Sequence, residues 1–472
     1  MWLLISCTAP SAIPSAEVDP PLDSTAVEDT APDSAQDTGV DEVVSAEREL
    51  LRKAVGFYGA QRCGDAANWI IADHELGGVC HLEDRLGAAS LIGGWHDAGD
   101  HIKPTLTIAY AAYVLLKAHQ AWPEAFDDLD GNGRDDVLDE VEIAVDYLLR
   151  AMPEGELVVM VGGEEDHAVF VTSPFQSGLP VAKGGGARRV TTEGRADVAG
   201  MLAASMALAS VELERSEALD VAEQAFAWGK ANPGGSSADF YEGSDPDANM
   251  LCGAAELWAA TGEGAYLDEA LALDAAVGRT WWVPTWDNPA DFGRHTLVAG
   301  GQDEVARSWQ RDAEGFLEAV GSEPSFPRLA FFTDWGSLGA STASAASAGL
   351  LYEVTGDERF ADYARGQVAW VMGDNDFAHP FVIGLEGGPT NPHHANAYGH
   401  DDLDTDWTLS PRHELTGALV GGPKSEAMYG FEAGYDDDVT DWISNEVTLD
   451  YNAGLVAATA FVVARDQGTR SR

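Results

Sequence analysis

Asp97 and Asp100 stand three residues apart in Gly93-Gly94-Trp95-His96-Asp97-Ala98-Gly99-Asp100-His101, directly before an apolar run. Small residues between two carboxylates let both face one cavity, where one takes a proton from a water and the other holds its second hydrogen. Taken alone, the stretch equally fits a turn whose aspartates cap the next helix. A second cluster lies near the C-terminus: Tyr435-Asp436-Asp437-Asp438, Trp442, Asn445-Glu446-Val447-Thr448 and Tyr451-Asn452-Ala453-Gly454. Glu446 is expected to open the last helix, whose positive end favours the carboxylate. Acting as an acid then requires burial or a neighbouring carboxylate such as Asp437. A helix-capping glutamate is the plainer alternative. In Asn391-Pro392-His393-His394, neighbouring side chains on extended chain point opposite ways, so His393 is expected to face a ligand and His394 the interior.

One further motif has metal-ligand spacing. Asp128, Asp130, Asn132, Gly133, Asp136 and Asp139 fall at positions 1, 3, 5, 6, 9 and 12 of a calcium loop, with Asp in place of the usual final Glu. Calcium binding and a metal-free Asn-Gly turn are the two readings.

These groups need a scaffold to bring them together. With 45% apolar residues over 472 positions, the chain can bury one large core or two smaller ones. Asp and Glu number 79 against 27 Lys and Arg, a formal net charge of -52. That potential repels phosphate backbones and anionic headgroups, so nucleic acid is not an expected partner, whereas a neutral ligand meets no such barrier. No apolar run reaches the length of a transmembrane helix. Residues 1–7 end in Leu4-Ile5-Ser6-Cys7, which resembles a lipoprotein box with an acylated cysteine; an ordinary N-terminus is the other reading. Residues 8–45 are rich in Ser, Thr, Pro, Ala, Asp and Glu and read as a disordered acidic tether, since they offer too little apolar area to offset the entropy of ordering.

From residue 46 the pattern is helical and reads as one domain, 46–472. Val141, Ala144, Val145 and Leu148 share a helix face, while residues 106–116 are apolar nearly all round, as in a helix packed on two sides. An internal echo points the same way: Trp258, Thr261, Gly262, Glu263 and Tyr266 recur 94 residues later as Tyr352, Thr355, Gly356, Asp357 and Phe360. Each copy reads as a helical hairpin with a left-handed glycine at the turn. The doubly packed helix suggests an all-α, double-layered toroid, and repeated hairpins imply a closed ring or a solenoid.

Taken together, the sequence resembles glycoside hydrolase family 9, the inverting cellulases built as (α/α)6 barrels. The resemblance runs through Phe57-Tyr58-Gly59-Ala60-Gln61-Arg62, residues 93–103, Val137-Leu138-Asp139-Glu140, Trp286-Asp287-Asn288, Trp335-Gly336-Ser337-Leu338, Ala418-Leu419-Val420-Gly421-Gly422-Pro423 and residues 445–453. It implies an endoglucanase acting on β-1,4-glucosidic bonds, with Asp100 as general base, Asp97 sharing the water and Glu446 as general acid. Base and acid would be separated by room for one water. His393, Asp437 and Tyr451 match supporting active-site positions, and His167 and Trp335 match cleft-lining ones. Trp286 joins Trp335 as a stacking platform, since flat rings suit the apolar faces of pyranoses. Two departures put subsite contacts in doubt: Ala395 and Val439 stand where the family usually has Arg.

The resemblance also implies a structural zinc at Cys63, Cys80 and His81, with His101 the nearest fourth ligand; a Cys63–Cys80 disulfide is the alternative. No cofactor is expected for the chemistry itself. The expected partner is a β-glucan polysaccharide or oligosaccharide, met by a monomer that is secreted or lipid-anchored at a bacterial surface. An exo-acting β-glycosidase and a non-catalytic glycan-binding relative are the competing functions.

Overall fold

The computed structural model describes residues 44–470 apart from 76, 238–239, 280–282, 323–328, 330–331, 334, 376, 405 and 425–433. The lipoprotein box and the tether up to residue 43 therefore lie outside the described residues. Ser45, read as the tether's last residue, instead caps the first helix by accepting from the Arg48 N–H at 3.2 Å.

Among the described residues, twelve helices of ten or more residues alternate between two layers. In chain order they are α1 (Ala46–Gln61), α2 (Thr105–Ala121), α3 (Asp136–Leu148), α4 (Ala196–Glu212), α5 (Ser216–Ala231) and α6 (Pro246–Thr261). The second half comprises α7 (Gly264–Val277), α8 (Ala290–Ala299), α9 (Asp303–Ser322), α10 (Ser337–Thr355), α11 (Glu358–Val371) and α12 (Leu449–Arg470). The even-numbered helices touch in sequence, α2 to α4, α6, α8, α10, α12 and back to α2, so they close an inner ring. The odd-numbered helices pack outside it. This is the (α/α)6 barrel that the sequence led us to expect.

Side-chain size explains the layering. Inner helices such as α4 are alanine-rich and buried on every side from Ala196 to Ala209. Outer helices such as α3 bury one stripe, including Val137, Val141, Ala144 and Leu148. Inner neighbours approach until backbones touch: a Cβ on Gly200 would lie 2.5 Å from the Met250 nitrogen, and one on Gly454 2.7 Å from the Ala343 nitrogen. Both repeated turns also form as expected, with Gly262 and Gly356 left-handed and donating to the Trp258 and Tyr352 carbonyls at 2.8 and 2.7 Å.

A small antiparallel sheet at one end of the ring joins three loops. Strand β1 (Lys103–Pro104) pairs with β2 (Met160–Val161), and β2 with β3 (Val190–Thr191), in the registers Lys103↔Val161 and Val161↔Val190.

Candidate active site

Hydrogen bonds from both ends of the chain fix the Asp97–Asp100 loop. On one side the Cys63 N–H donates to the Gly94 carbonyl at 2.9 Å, and the His96 N–H to the Gln61 carbonyl at 2.7 Å, so the loop runs beside the end of α1. On the other side the Leu449 N–H donates to the Asp97 carbonyl at 2.9 Å, tying the loop to the first turn of α12. Gly99 is required between the two acids, because a Cβ there would lie 1.9 Å from the His393 carbonyl oxygen. The two His393-side contacts then follow: Ala395 N–H donates to Gly99 at 2.7 Å, and Gln61 holds both the Ala98 carbonyl (2.8 Å) and His394 Nε2 (2.7 Å).

Residue 393 in turn locates Glu446. His393 N–H donates to the Asn445 carbonyl at 2.8 Å, and His393 and Glu446 face each other in a parallel bridge. Glu446 does not open the last helix: it follows a short helix, Trp442–Asn445, in extended conformation, and Thr448 caps α12 by accepting the Tyr451 N–H at 3.2 Å. The helix-end argument for its ionisation therefore falls away. Burial instead pushes Glu446 up to about 7, the charge of Asp100 adds to the rise, and a Trp335 Nε1 donor at 3.4 Å opposes it.

Asp97, Asp100 and Glu446 line one cleft of about 830 Å³, together with His167, His393, Trp286, Trp335 and Tyr451. Asp100 Oδ2 lies 2.8 Å from His167 Nδ1, and this contact is the main cause of the raised histidine pKa. Asp97 accepts from Thr107 Oγ1 at 2.5 Å and from the Tyr241 hydroxyl. Burial still raises it, with the charges of Asp450 and Asp100 adding to the effect. His393 Nδ1 lies 2.7 Å from the Val439 carbonyl and burial lowers its pKa; a proton held on Nδ1 leaves Nε2 as the acceptor. His394 is internal, as expected: Nδ1 accepts from Ala397 N–H at 3.1 Å and Nε2 meets Gln61. Asp437 does not line the cleft. Its carboxylate takes the N–H groups of Thr390 and Asn391, each at 2.9 Å, because the loop before His393 folds back on it, so it braces the loop that leads to His393.

Among the described lining residues there is no Lys or Arg, and the walls are aromatic. Trp335 is 50% exposed, Trp442 52% and Trp407 41%. An uncharged, flat-faced ligand suits such a cleft, with acids on its floor for proton transfer.

The chain matches the family model described as Glycosyl hydrolase family 9 over residues 48–459. It belongs to glycosyl hydrolase family 9. Endoglucanase A of Bacillus pumilus is 30% identical over 88% of this chain, and the chain spans 66% of that relative, about two-thirds of its length. The crystal structure of endoglucanase CelQ from Clostridium thermocellum complexed with cellotriose shares 27% identity at a TM-score of 0.75, covering 89% of this chain and 71% of that one. An endoglucanase from the termite Nasutitermes takasagoensis is 26% identical at a TM-score of 0.75, covering 90% of this chain and all of that one.

This family 9 chain also gathers the expected sulfur and imidazole ligands. Cys63, Cys80, His81 and His96 are buried, with ligand atoms all within 4.8 Å of one another. The Cys63–Cys80, Cys63–His81 and Cys80–His96 pairs each stand 3.7 Å apart. Tetrahedral zinc with its usual bond lengths needs about 3.8 Å between sulfurs and about 3.6 Å from sulfur to nitrogen, so the set fits. His81 Nε2 meets the Gln176 side-chain oxygen Oε1 at 3.2 Å, which leaves Nδ1 facing Cys63 Sγ in the site. Both thiols are free, so the disulfide alternative is not formed. The fourth residue of the set is His96, whose Nε2 lies 3.7 Å from Cys80 Sγ, and not the expected His101, which is not among the groups within 4.8 Å of one another. In the calcium-like loop the structure brings together Asp128, Asp130 and Asp136; Asn132 instead donates to Asp139 at 2.7 Å.

Sequence reasoning missed Tyr241, Trp407 and Asp450. Asp450 lines the cleft floor, where burial raises it to about 6, and only its burial distinguishes it from an ordinary first-turn acid. Trp407 stacks on His393 with rings 5.9 Å apart at 19° and touches Phe170 at 4.8 Å.

Proposed function

We propose that this chain hydrolyses β-1,4-glucosidic bonds within soluble or amorphous β-glucan by a single displacement that inverts the anomeric carbon. The observation that carries this reading is the meeting of Asp100 and Glu446, 346 residues apart in sequence, in one cleft with aromatic walls and no Lys or Arg among its described lining residues. Asp100, oriented by His167, takes a proton from water while Asp97 holds the water's other hydrogen. Glu446 gives its proton to the departing sugar oxygen, and water enters opposite the leaving group. CelQ, solved with cellotriose bound, supports the glucan assignment. Incubation with cellohexaose tests it: internal cuts giving cellobiose, cellotriose and cellotetraose are expected. Glucose released singly from chain ends would overturn endo action.

The general acid sets the alkaline limit. Glu446 works protonated and is raised to about 7, so it is competent below that pH and loses its proton above it. We expect kcat/KM to fall tenfold per unit on the alkaline side of about 7. An alkaline limb with its midpoint below pH 5 would contradict this assignment.

Trp407→Ala is expected to raise KM for cello-oligosaccharides up to roughly tenfold, the equivalent of about 1.5 kcal/mol of stacking, with a smaller change in kcat. An unchanged KM would remove Trp407 from the binding surface.

We place a structural zinc at Cys63, Cys80, His81 and His96, and calcium at Asp128, Asp130 and Asp136, supported by the ligand geometry. The zinc would brace the loop carrying Asp97 and take no part in the chemistry. Chelation is expected to lower the melting midpoint by several degrees; an unchanged midpoint contradicts both metal assignments. Export with a lipid anchor at Cys7 is supported by the Leu4-Ile5-Ser6-Cys7 stretch. Labelled palmitate should enter the parent protein and not Cys7→Ser; equal labelling of both contradicts the anchor.

A further inference from the structure

We infer that Arg188 is a positioning residue for the general base, holding the Asp100–His167 pair from behind the cleft. Its side chain is fully buried. Nη1 donates to the His101 carbonyl at 2.6 Å and to Asp166 Oδ1 at 3.0 Å. Residues 101 and 166 are the immediate chain neighbours of Asp100 and His167, whose own contact is 2.8 Å. One nitrogen therefore fixes the spacing of the two backbone segments that present the base and its partner.

The rest of the guanidinium is anchored so that this nitrogen cannot swing. Nε and Nη2 grip Asp84 as a fork at 2.9 and 2.6 Å. Asp84 is shared with the buried Lys103, whose Nζ lies 2.8 Å away and also donates to the Leu91 and Gly93 carbonyls at 2.7 and 3.1 Å. Two cations and two carboxylates thus balance inside the protein. Asp166 is held from its other oxygen by the Gly163 N–H at 3.1 Å. The sheet explains how the parts meet: β1 follows the Asp100 loop, β2 precedes Asp166 and β3 begins two residues after Arg188.

A buried ion cluster that served only folding would need charge balance at this place, but not a planar guanidinium whose fork is fixed on Asp84 while its remaining nitrogen touches residues 101 and 166 together. Lysine supplies the charge without the fork. The inference rests on the reading of Asp100 as base.

Arg188→Lys and Asp166→Asn, assayed on cellopentaose below their melting midpoints, test it, with metal content measured because Arg188 Nη2 lies 3.9 Å from Cys63 Sγ. In folded, metal-replete Arg188→Lys we expect kcat to fall on the order of 10–100-fold, as for a misplaced reacting group, with KM within about twofold. Wild-type kcat in that protein overturns the inference. Should Arg188→Lys not fold, Asp166→Asn decides through a cycle with His167→Ala. It should lower kcat in the parent protein and cost nothing further once His167 is gone. No loss in the parent, or fully additive losses, overturns the inference. An active Asp100→Asn would instead remove the base assignment itself, a failure distinguishable from this one.

Discussion

Glu446→Gln is expected to lower kcat on cello-oligosaccharides by about 10²–10⁴-fold while leaving the fold intact. The amide keeps the size of the acid and still accepts from Trp335 Nε1, but it has no proton to give the departing sugar. The loss should be confined to leaving groups that need that proton. A 2,4-dinitrophenyl cellobioside departs as a stable anion, so Glu446→Gln should hydrolyse it with a far smaller penalty. Equal losses on both substrates would remove Glu446 as the acid. The same protein should also lose the alkaline limb near pH 7, since the group raised to about 7 is absent.

Asp100→Asn is expected to be nearly as damaging, by about 10²–10⁴-fold in kcat with little change in KM, because the water loses its proton acceptor while the aromatic walls remain. Two further signatures distinguish a base from a residue that only braces the loop. Asp100 charge is the second cause of the Glu446 shift, so removing it should let Glu446 titrate at lower pH and move the residual alkaline limb downward. In Asp100→Gly, azide fits the vacated space and needs no deprotonation, so added azide should restore turnover and yield an α-glycosyl azide. Near-normal activity in Asp100→Asn, or rescue that gives a β-azide, would contradict the base role.

Much of this site was legible because its parts sit in compact motifs. The paired aspartates, the histidine pair and the 435–453 pattern each announce themselves within a few residues, and the doubly apolar residues 106–116 reveal an inner helix. Contacts made only by folding left no such trace. Arg188 is one of two adjacent arginines after a glycine run, and nothing local says that it reaches Asp84, His101 and Asp166. Trp407 lies in an acidic loop with no periodic pattern, yet it stacks on His393. Glu446 was misplaced by three residues relative to the helix start because Thr448, a better cap, takes the Tyr451 N–H. His101 looked like a ligand by proximity in sequence, but the fold turns the neighbouring His96 toward Cys80 and brings it, not His101, into the cluster. Asp437 shares the cluster with Glu446 but spends its carboxylate on two backbone N–H groups of another loop.

The central claim is that Asp100 and Glu446 act across one cleft on a single water, and the stereochemistry of the first product tests it most directly. Proton NMR of cellopentaose hydrolysis, recorded before mutarotation, should show the α-anomer appearing first at the new reducing end. The β-anomer appearing first would mean that the bond is broken with retention, and the arrangement of base, water and acid described for this cleft would be wrong.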